Sequence, residues 1–203
     1  QSHVTSTQET EVSPFTPTTA SQTPAVTTTA SEPSPAARAV MDSSAYLSGQ
    51  KFDEALTYFQ EIAAFSEFKG AKPITKWTKD VRIQVHGELT DSDRATLNDL
   101  LTFYNQIDGM PRLDLVESQP NVNLYFVPSK EMKQYIQDYV QGNLGFFEVF
   151  WNGGFEIYAA TIAISSDRTG LLDRNHLIWE ELSQCLGLMN DSYQYQNSIF
   201  QQD

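Results

Sequence analysis

Apolar residues recur at helical or alternating spacing from about residue 50 onward, and these patterns predict a series of helices and strands. Spacings of three and four predict helices over residues 53–65, 90–107, 129–139 and 173–186. Alternation predicts strands over residues 81–85, 122–127, 146–151 and 155–165, the last two joined by an Asn-Gly-Gly turn. Because helices and strands interleave, the predicted fold class is α+β, built around a mixed sheet.

The first 36 residues have a different composition from the rest of the chain. They are rich in Thr, Ser, Pro and Ala and contain almost no large apolar side chain besides Phe15. Such a segment cannot bury enough surface to offset its ordering entropy, so residues 1–36 are predicted to be a disordered spacer. The folded domain is predicted over residues 37–203, with residues 37–48 as a short first helix. The tail is either a tether to a membrane or wall anchor or a disordered end without a role.

Charge and cysteine content exclude several classes of protein. The net charge of −13 argues against binding to nucleic acid or to an anionic membrane surface. Cys185 is the single cysteine, so no intrachain disulfide is possible, and its apolar neighbours predict a buried, inert thiol. No apolar run approaches the length of a transmembrane helix. The sequence starts without Met, and we expect that a leader precedes it.

The candidate chemistry lies in the last predicted helix and the segment after it. On a helical wheel, Glu180 and Gln184 share a polar stripe, which is the pattern of a solvated helix face. Glu181 instead projects toward the apolar arc. A carboxylate in that position costs desolvation free energy unless it has a partner or a function.

The spacing of these residues resembles the metzincin signature H-E-x-x-H-x-x-G-x-x-H/D. The resemblance places the first ligand at Glu180, the general base at Glu181, the second ligand at Gln184, the turn at Gly187, and the third ligand at Asn190 with Asp191 beside it. It implies a metzincin-like fold in which this helix lines the active-site cleft. The order of predicted strands and helices before it is also similar.

Further blocks extend the resemblance over residues 52–203. Ser198-Ile199-Phe200 stands where metzincins have a Met-turn, with Phe in place of Met. Together with E-E-x-x-Q-x-x-G-L-x-N-D and Lys76-Trp77, this block is similar to an uncharacterised bacterial envelope family. The resemblance implies a secreted domain or lipoprotein at the outer face of a bacterial cell envelope.

All three zinc-binding histidines of the metzincin pattern are replaced. Amide and carboxylate oxygens suit calcium, magnesium or manganese, or no metal, so zinc is not expected. His3, His86 and His176 are poorly placed in the sequence to substitute for the missing ligands. No serine-hydrolase, P-loop or dinucleotide-binding motif is present.

Two functions therefore stay open at the level of sequence. In the first, the domain is a pseudoenzyme that binds a peptide or cell-wall polymer, with an edge strand within residues 146–165 pairing with an extended ligand. The aromatic residues that could line its groove are Phe146, Phe147, Phe150, Trp151, Phe155 and Tyr158. In the second, the chain is a hydrolase in which Glu181 acts as general base with a hard divalent cation or no metal.

Overall fold

The computed structural model describes residues 50–66, 70–71, 73–167, 170–192, 194–195 and 197–201. Its helices are α1 (Gln50–Ala64), α2 (Asp91–Tyr104), a 3-10 helix (Ser129–Gln134) and α3 (Leu171–Cys185). Its strands are β1 (Phe65–Ser66), β2 (Gly70–Ala71), β3 (Lys76–Trp77), β4 (Val81–His86), β5 (Leu113–Leu115), β6 (Val122–Val127), β7 (Gly145–Trp151) and β8 (Glu156–Ser165). The fold class is α+β, as predicted.

A six-stranded, mostly parallel sheet forms the centre of the domain. Strands β5, β4, β6 and β8 are parallel neighbours in that order, and β7 is antiparallel to β8. Ile157 in β8 has both Trp77 of β3 and Trp151 of β7 as partners. Because a strand residue has only two sides, β3 and β6 must share the side of β8 opposite β7. Strand β7 therefore lies at one edge of the sheet.

Alternate residues of the sheet pack into two apolar clusters on its two faces. On one face, Ile162 and Ile164 of β8 join the main core with apolar side chains of α2 and α3. On the other, Ala163 packs with Met132 and Ile136 from the 3-10 helix and the turn after it. This alternation is what a sheet covered on both faces requires.

Buried polar contacts fix α2 against α3. Thr90 begins α2 with a capping box, in which its hydroxyl accepts from the Asp93 N–H while the Asp93 carboxylate accepts from the Thr90 N–H. The same Asp93 carboxylate forms a buried salt bridge with Arg174 of α3, with 2.7 Å between Oδ2 and Nη2. Tyr104 at the other end of α2 donates to the Ser183 hydroxyl at 2.6 Å.

Two predicted helices differ from the structure. Residues 129–139 contain only a 3-10 helix, because the Ser129 hydroxyl binds Asp167 and Ser165 and does not cap a helix. Helix α3 begins at Leu171 after Gly170, and not at Asp173 or Asn175. The two- and three-residue strands β1, β2, β3 and β5 were not predicted.

The predicted apolar face of the first helix is only partly buried. Ile62 and Ala63 are buried, but Leu56 and Phe59 are more than 40% exposed. Only the last turns of α1 therefore reach the core. The predicted spacer over residues 1–36 and the helix over residues 37–48 lie outside the described residues. Within the part of the chain that is described, no helix is both long and apolar enough to cross a membrane.

Candidate functional site

The carboxyl end of α3 is closed by the segment that contains β3. Trp77 donates its indole N–H to the carbonyl oxygen of Cys185 at 2.9 Å, so it satisfies one of the free carbonyls at the helix end. Gly187 follows with a φ of +121°, and a Cβ at this position would overlap the carbonyl oxygen of Thr75. Gly187 therefore makes the turn that the sequence predicts, against a backbone that leaves no room for a side chain.

Glu181 lies at the junction of α3 and the edge strand β7. Its side chain is buried, with 6% of its surface exposed. Its Oε1 atom lies so close to Gly145 that a Cβ added to this glycine would overlap it. The candidate general base is thus packed against the backbone of β7.

Gln184 and Asp191 form a buried pair across the turn at Gly187. The Gln184 amide donates to the Asp191 carboxylate, with 2.6 Å between Nε2 and Oδ1. Both side chains are more than 90% buried. The residue that the resemblance places at the second ligand position is therefore held by a hydrogen bond within the protein.

Asn190 joins the same segment to α1. Its backbone N–H donates to the Ile62 carbonyl at 3.1 Å, and its side-chain amide donates to the carbonyls of Glu61 and Asp191 at 3.3 and 2.9 Å. Both donors of the Asn190 amide therefore bind backbone oxygen. The residue that the resemblance places at the third ligand position therefore anchors α1 to the segment after α3.

Glu180 is partly accessible, unlike the buried Glu181, Gln184 and Asp191. Its side chain is 14% exposed, and its Oε2 atom lies 3.6 Å from Nε2 of His176, one turn earlier on α3. This places His176 beside the polar stripe of the helix. His86, in contrast, stacks on Tyr125 and bonds to Asn123 in the sheet.

The turn at Ser198–Phe200 packs beneath α1. The Ser198 hydroxyl accepts from the Phe200 N–H at 2.9 Å, and the Phe200 ring is buried. The Phe200 carbonyl accepts from the Ser192 N–H at 2.6 Å, so the turn lies alongside the segment that carries Asp191. The block at the predicted Met-turn position is thus joined to the same site.

Tyr58 of α1 is a site residue that the sequence did not predict. Its hydroxyl forms a short hydrogen bond with the Ser198 hydroxyl, and its ring contacts Tyr195 at a centroid distance of 4.5 Å. Burial raises the pKa of Tyr58, and the nearby carboxylates of Glu61 and Asp191 contribute to the same shift. Its only sequence signal was an aromatic residue beside the apolar face of a helix.

The side-chain amides at two of the three predicted ligand positions form hydrogen bonds within the protein. The side chains of Gln184 and Asn190 are engaged as donors to protein oxygens, and an amide nitrogen is not a zinc ligand. Among the residues that the structure describes, no three His, Cys, Asp or Glu side chains are grouped so as to hold a metal ion. Cys185 is buried, and burial together with the nearby Glu181 raises its pKa, which disfavours the reactive thiolate.

Strand β7 offers a second kind of site, at the edge of the sheet. In the described residues, β8 is the only strand that pairs with β7. Of the six aromatic residues predicted to line a groove, Phe146 and Phe147 pack against the two apolar clusters. The other four are at least 38% exposed: Phe150, Trp151, Phe155 and Tyr158.

Comparison with models of protein families identifies a match over most of the described part of the chain. The model of a protein family described as "Protein of unknown function (DUF2927)" matches residues 53–203, which is well over half of the chain and includes β1–β8, α2, α3 and most of α1. No curated protein matches the sequence.

Proposed function

The chain belongs to the DUF2927 family, and we propose that its domain is a non-catalytic, metzincin-like module that binds an extended peptide along the free edge of β7. The observation that carries this proposal is the position of β7, an antiparallel edge strand that runs directly beside the polar end of α3. Exposed strand edges bind extended ligands through backbone hydrogen bonds.

The pairing of β7 with β8 indicates which backbone groups face the ligand. The Ser165 N–H donates to the Leu144 carbonyl at 2.7 Å, which makes these two residues a hydrogen-bonded antiparallel pair. Such pairs alternate along the ladder, so the N–H and C=O groups of Gly145, Phe147 and Val149 point away from β8. A ligand strand would pair with these three residues.

The hydrogen bonds at the end of α3 support a structural role for its polar residues. Gln184 and Asp191 bind each other, and Asn190 binds α1. The first contact holds the segment after α3 against that helix, and the second holds α1 against the same segment. Because Gln184, Asp191 and Asn190 bind groups of the protein itself, they hold the wall of the proposed cleft in place. This structural role favours a binding function over hydrolysis.

The metzincin-like part of the proposal rests on the order of elements and on α3. Strand, helix and parallel strands precede an antiparallel edge strand, and the next strand leads into α3. Glu181 then lies next to the edge strand, as expected for a helix that lines a substrate cleft. We place the domain at the outer face of a bacterial envelope, where the ligand would be a peptide or the peptide portion of a wall polymer.

The test is to remove one outward N–H from β7 without disturbing its pairing with β8. Peptides selected from a random displayed library would be titrated against the wild type, Val149→Pro and Val149→Thr, with binding followed by fluorescence anisotropy. Proline at 149 removes a donor directed at the free edge, and threonine keeps it with a similar shape. We expect binding to be lost in Val149→Pro and kept in Val149→Thr. Equal binding by both variants, with both folded, would refute edge pairing.

A hydrolase is the second candidate, and one contact favours it. The Glu181 carboxylate lies against Gly145, at the start of the edge where a bound peptide would run. A water between this carboxylate and a peptide carbonyl would complete a general-base arrangement. Incubating selected peptides with the protein and calcium, magnesium or manganese, followed by mass spectrometry, tests this reading, and cleavage that Glu181→Gln abolishes would establish it.

A further inference from the structure

We propose that the tip of the β7–β8 hairpin, residues 150–158, inserts into the interface of a phospholipid bilayer. This surface is separate from the β7 edge residues 145–149 that the proposed function uses. The hairpin tip carries four exposed aromatic side chains, of which Tyr158 is the most exposed at 59%. Aromatic rings are the side chains that favour the boundary between lipid headgroups and acyl chains.

The aromatic side chains lie on both faces of the hairpin. Trp151 is paired with Ile157, whose side chain belongs to the main core, so Trp151 points to the same face as α3. Phe150 precedes Trp151 in β7 and therefore points to the opposite face. Tyr158 is the extra residue at the register shift between the Phe150–Ala159 and Trp151–Ile157 pairs. A flat protein or saccharide partner would contact one face of the ribbon, whereas a bilayer interface surrounds the inserted tip on all sides.

Four backbone N–H groups of the tip form hydrogen bonds within the tip itself. The N–H groups of Asn152 and Phe155 donate to the Glu156 and Asn152 carbonyls at 3.0 Å. The N–H groups of Gly154 and Glu156 donate to the Asn152 side-chain oxygen at 2.9 and 3.1 Å. Because unpaired backbone groups are costly in lipid, a loop that satisfies these donors internally can be partly inserted at low cost.

Phe155 combines an unfavourable backbone conformation with an exposed side chain. Its φ is +60°, a value that favours glycine and costs free energy for a phenylalanine. The ring is nevertheless 45% exposed, so burial in this protein does not compensate that cost. Backbone strain at an exposed apolar side chain is typical of a position kept for binding.

Charge along the tip also fits a bilayer. Residues 149–155 contain no charged side chain, although the whole protein has a net charge of −13. Glu156 is the one charged residue within the tip, and Lys76 of β3 is its neighbour in the adjacent strand. Lys79 and Arg82 lie beside Tyr158 around a shallow cavity of about 240 Å³, at headgroup height if the tip is inserted. Because the rest of the protein is acidic, the bilayer that fits is zwitterionic.

The test measures partitioning onto phosphatidylcholine vesicles by co-sedimentation. The tip variant is Phe155→Gly with Tyr158→Ser, which keeps the turn and removes two exposed rings. The matched control is Phe52→Ser with Phe59→Ser, which removes two similarly exposed rings from α1. We expect the tip variant to lose at least about tenfold in partition coefficient, and the control to bind as the wild type does.

A spectroscopic signal reports the depth of the tip. Trp151 is exposed, Trp77 is buried and Trp179 is partly buried against the main core, so brominated phosphatidylcholine should quench the wild type and leave Trp151→Phe largely unquenched. Vesicles with about 30% phosphatidylglycerol should bind no more strongly, because they repel the acidic protein. Absence of wild-type binding at roughly 1 mM lipid, or equal binding by the tip variant, would overturn the proposal. Sedimentation velocity provides a further check. If the wild type self-associates and the tip variant does not, the exposed rings bind a second copy of the chain, and the proposal is overturned.

Discussion

The side-chain amide of Gln184 donates to the Asp191 carboxylate at 2.6 Å, and this hydrogen bond spans the turn that ends α3. In a metzincin the residue at position 184 would bind zinc. Here it holds a buried acid against the helix, and both groups are inaccessible to solvent. The pair therefore ties the helix to the segment that follows it.

Replacing Gln184 by Met should lower the free energy of unfolding by about 1–3 kcal/mol, because the Asp191 carboxylate loses a buried donor. Urea denaturation followed by circular dichroism measures this. The control is Gln60→Met on the exposed side of α1, which should change stability by less than about 0.5 kcal/mol. Equal effects of both substitutions would show that the Gln184–Asp191 bond contributes nothing.

Glu181→Gln separates the two proposed functions. The structural role predicts a loss of about 1–3 kcal/mol in unfolding free energy, because an amide cannot accept hydrogen bonds at both ends of the side chain. Glu180→Gln, at a more accessible position of the same helix, should cost less. A Glu181→Gln protein that is as stable as the wild type, but lacks a hydrolytic activity that the wild type has, would instead make the domain an enzyme.

The metzincin-like placement can be tested by restoring histidines. A variant with Glu180→His, Gln184→His and Asn190→His carries three imidazoles at metzincin spacing. Isothermal titration should show zinc binding at least about a hundredfold tighter than that of the double variant without the Asn190 change. If the triple variant folds and binds zinc no better than the wild type, the metzincin-like assignment is wrong.

Alkaline pH should destabilise the domain through Tyr104. Burial raises the pKa of this phenol to about 12, whereas an unfolded tyrosine ionises near its ordinary value of about 10. The unfolded state therefore loses its proton first, so the stabilisation is complete below about pH 10 and is lost by about pH 12, a change of about 2–3 kcal/mol. Unfolding measured from pH 8 upward should show a shallower decline in Tyr104→Phe. The exposed Tyr158→Phe serves as control, and a Tyr104→Phe profile that matches it would contradict this assignment.

Gly187→Ala should destabilise the domain by more than about 2 kcal/mol. The φ of +121° is unfavourable for alanine, and the new Cβ would overlap the Thr75 carbonyl oxygen. Thermal unfolding measures the effect. Gly153→Ala in the hairpin, where a Cβ meets open space, should be close to neutral. A neutral result at position 187 would show that the backbone of residues 73–75 can move away from α3.

The sequence predicted those parts of the fold that depend on local patterns. The start of α2 near residue 90 and the Asn-Gly-Gly hairpin follow from hydrogen bonds between residues only a few positions apart. It did not predict strands β3 and β5, because two or three residues cannot show alternation. The sequence predicted an α-helix where the structure has a 3-10 helix. The Ser129 hydroxyl binds Asp167, and a partner 38 positions away cannot be predicted from local sequence.

The candidate site was predicted only where it depends on local spacing. The single helix turn that carries Glu181 and Gln184 could be recognised from spacing alone. Their actual partners are the backbone of β7 at Gly145 and the Asp191 side chain, which depend on how the sheet and the turn pack. Tyr58 was missed because its contact with Ser198 joins residues 140 positions apart.

The contacts of α1 have a consequence for the synthesis of the protein. Tyr58 and Glu61 of α1 bind Ser198 and Asn190, which leave the ribosome more than a hundred positions later. During translation α1 therefore lacks these partners, and Ile62 and Ala63, which are buried in the folded protein, stay exposed until residue 198 has emerged. Asp53, Glu54 and Glu61 on the same helix carry negative charge, and like charges disfavour association between nascent chains.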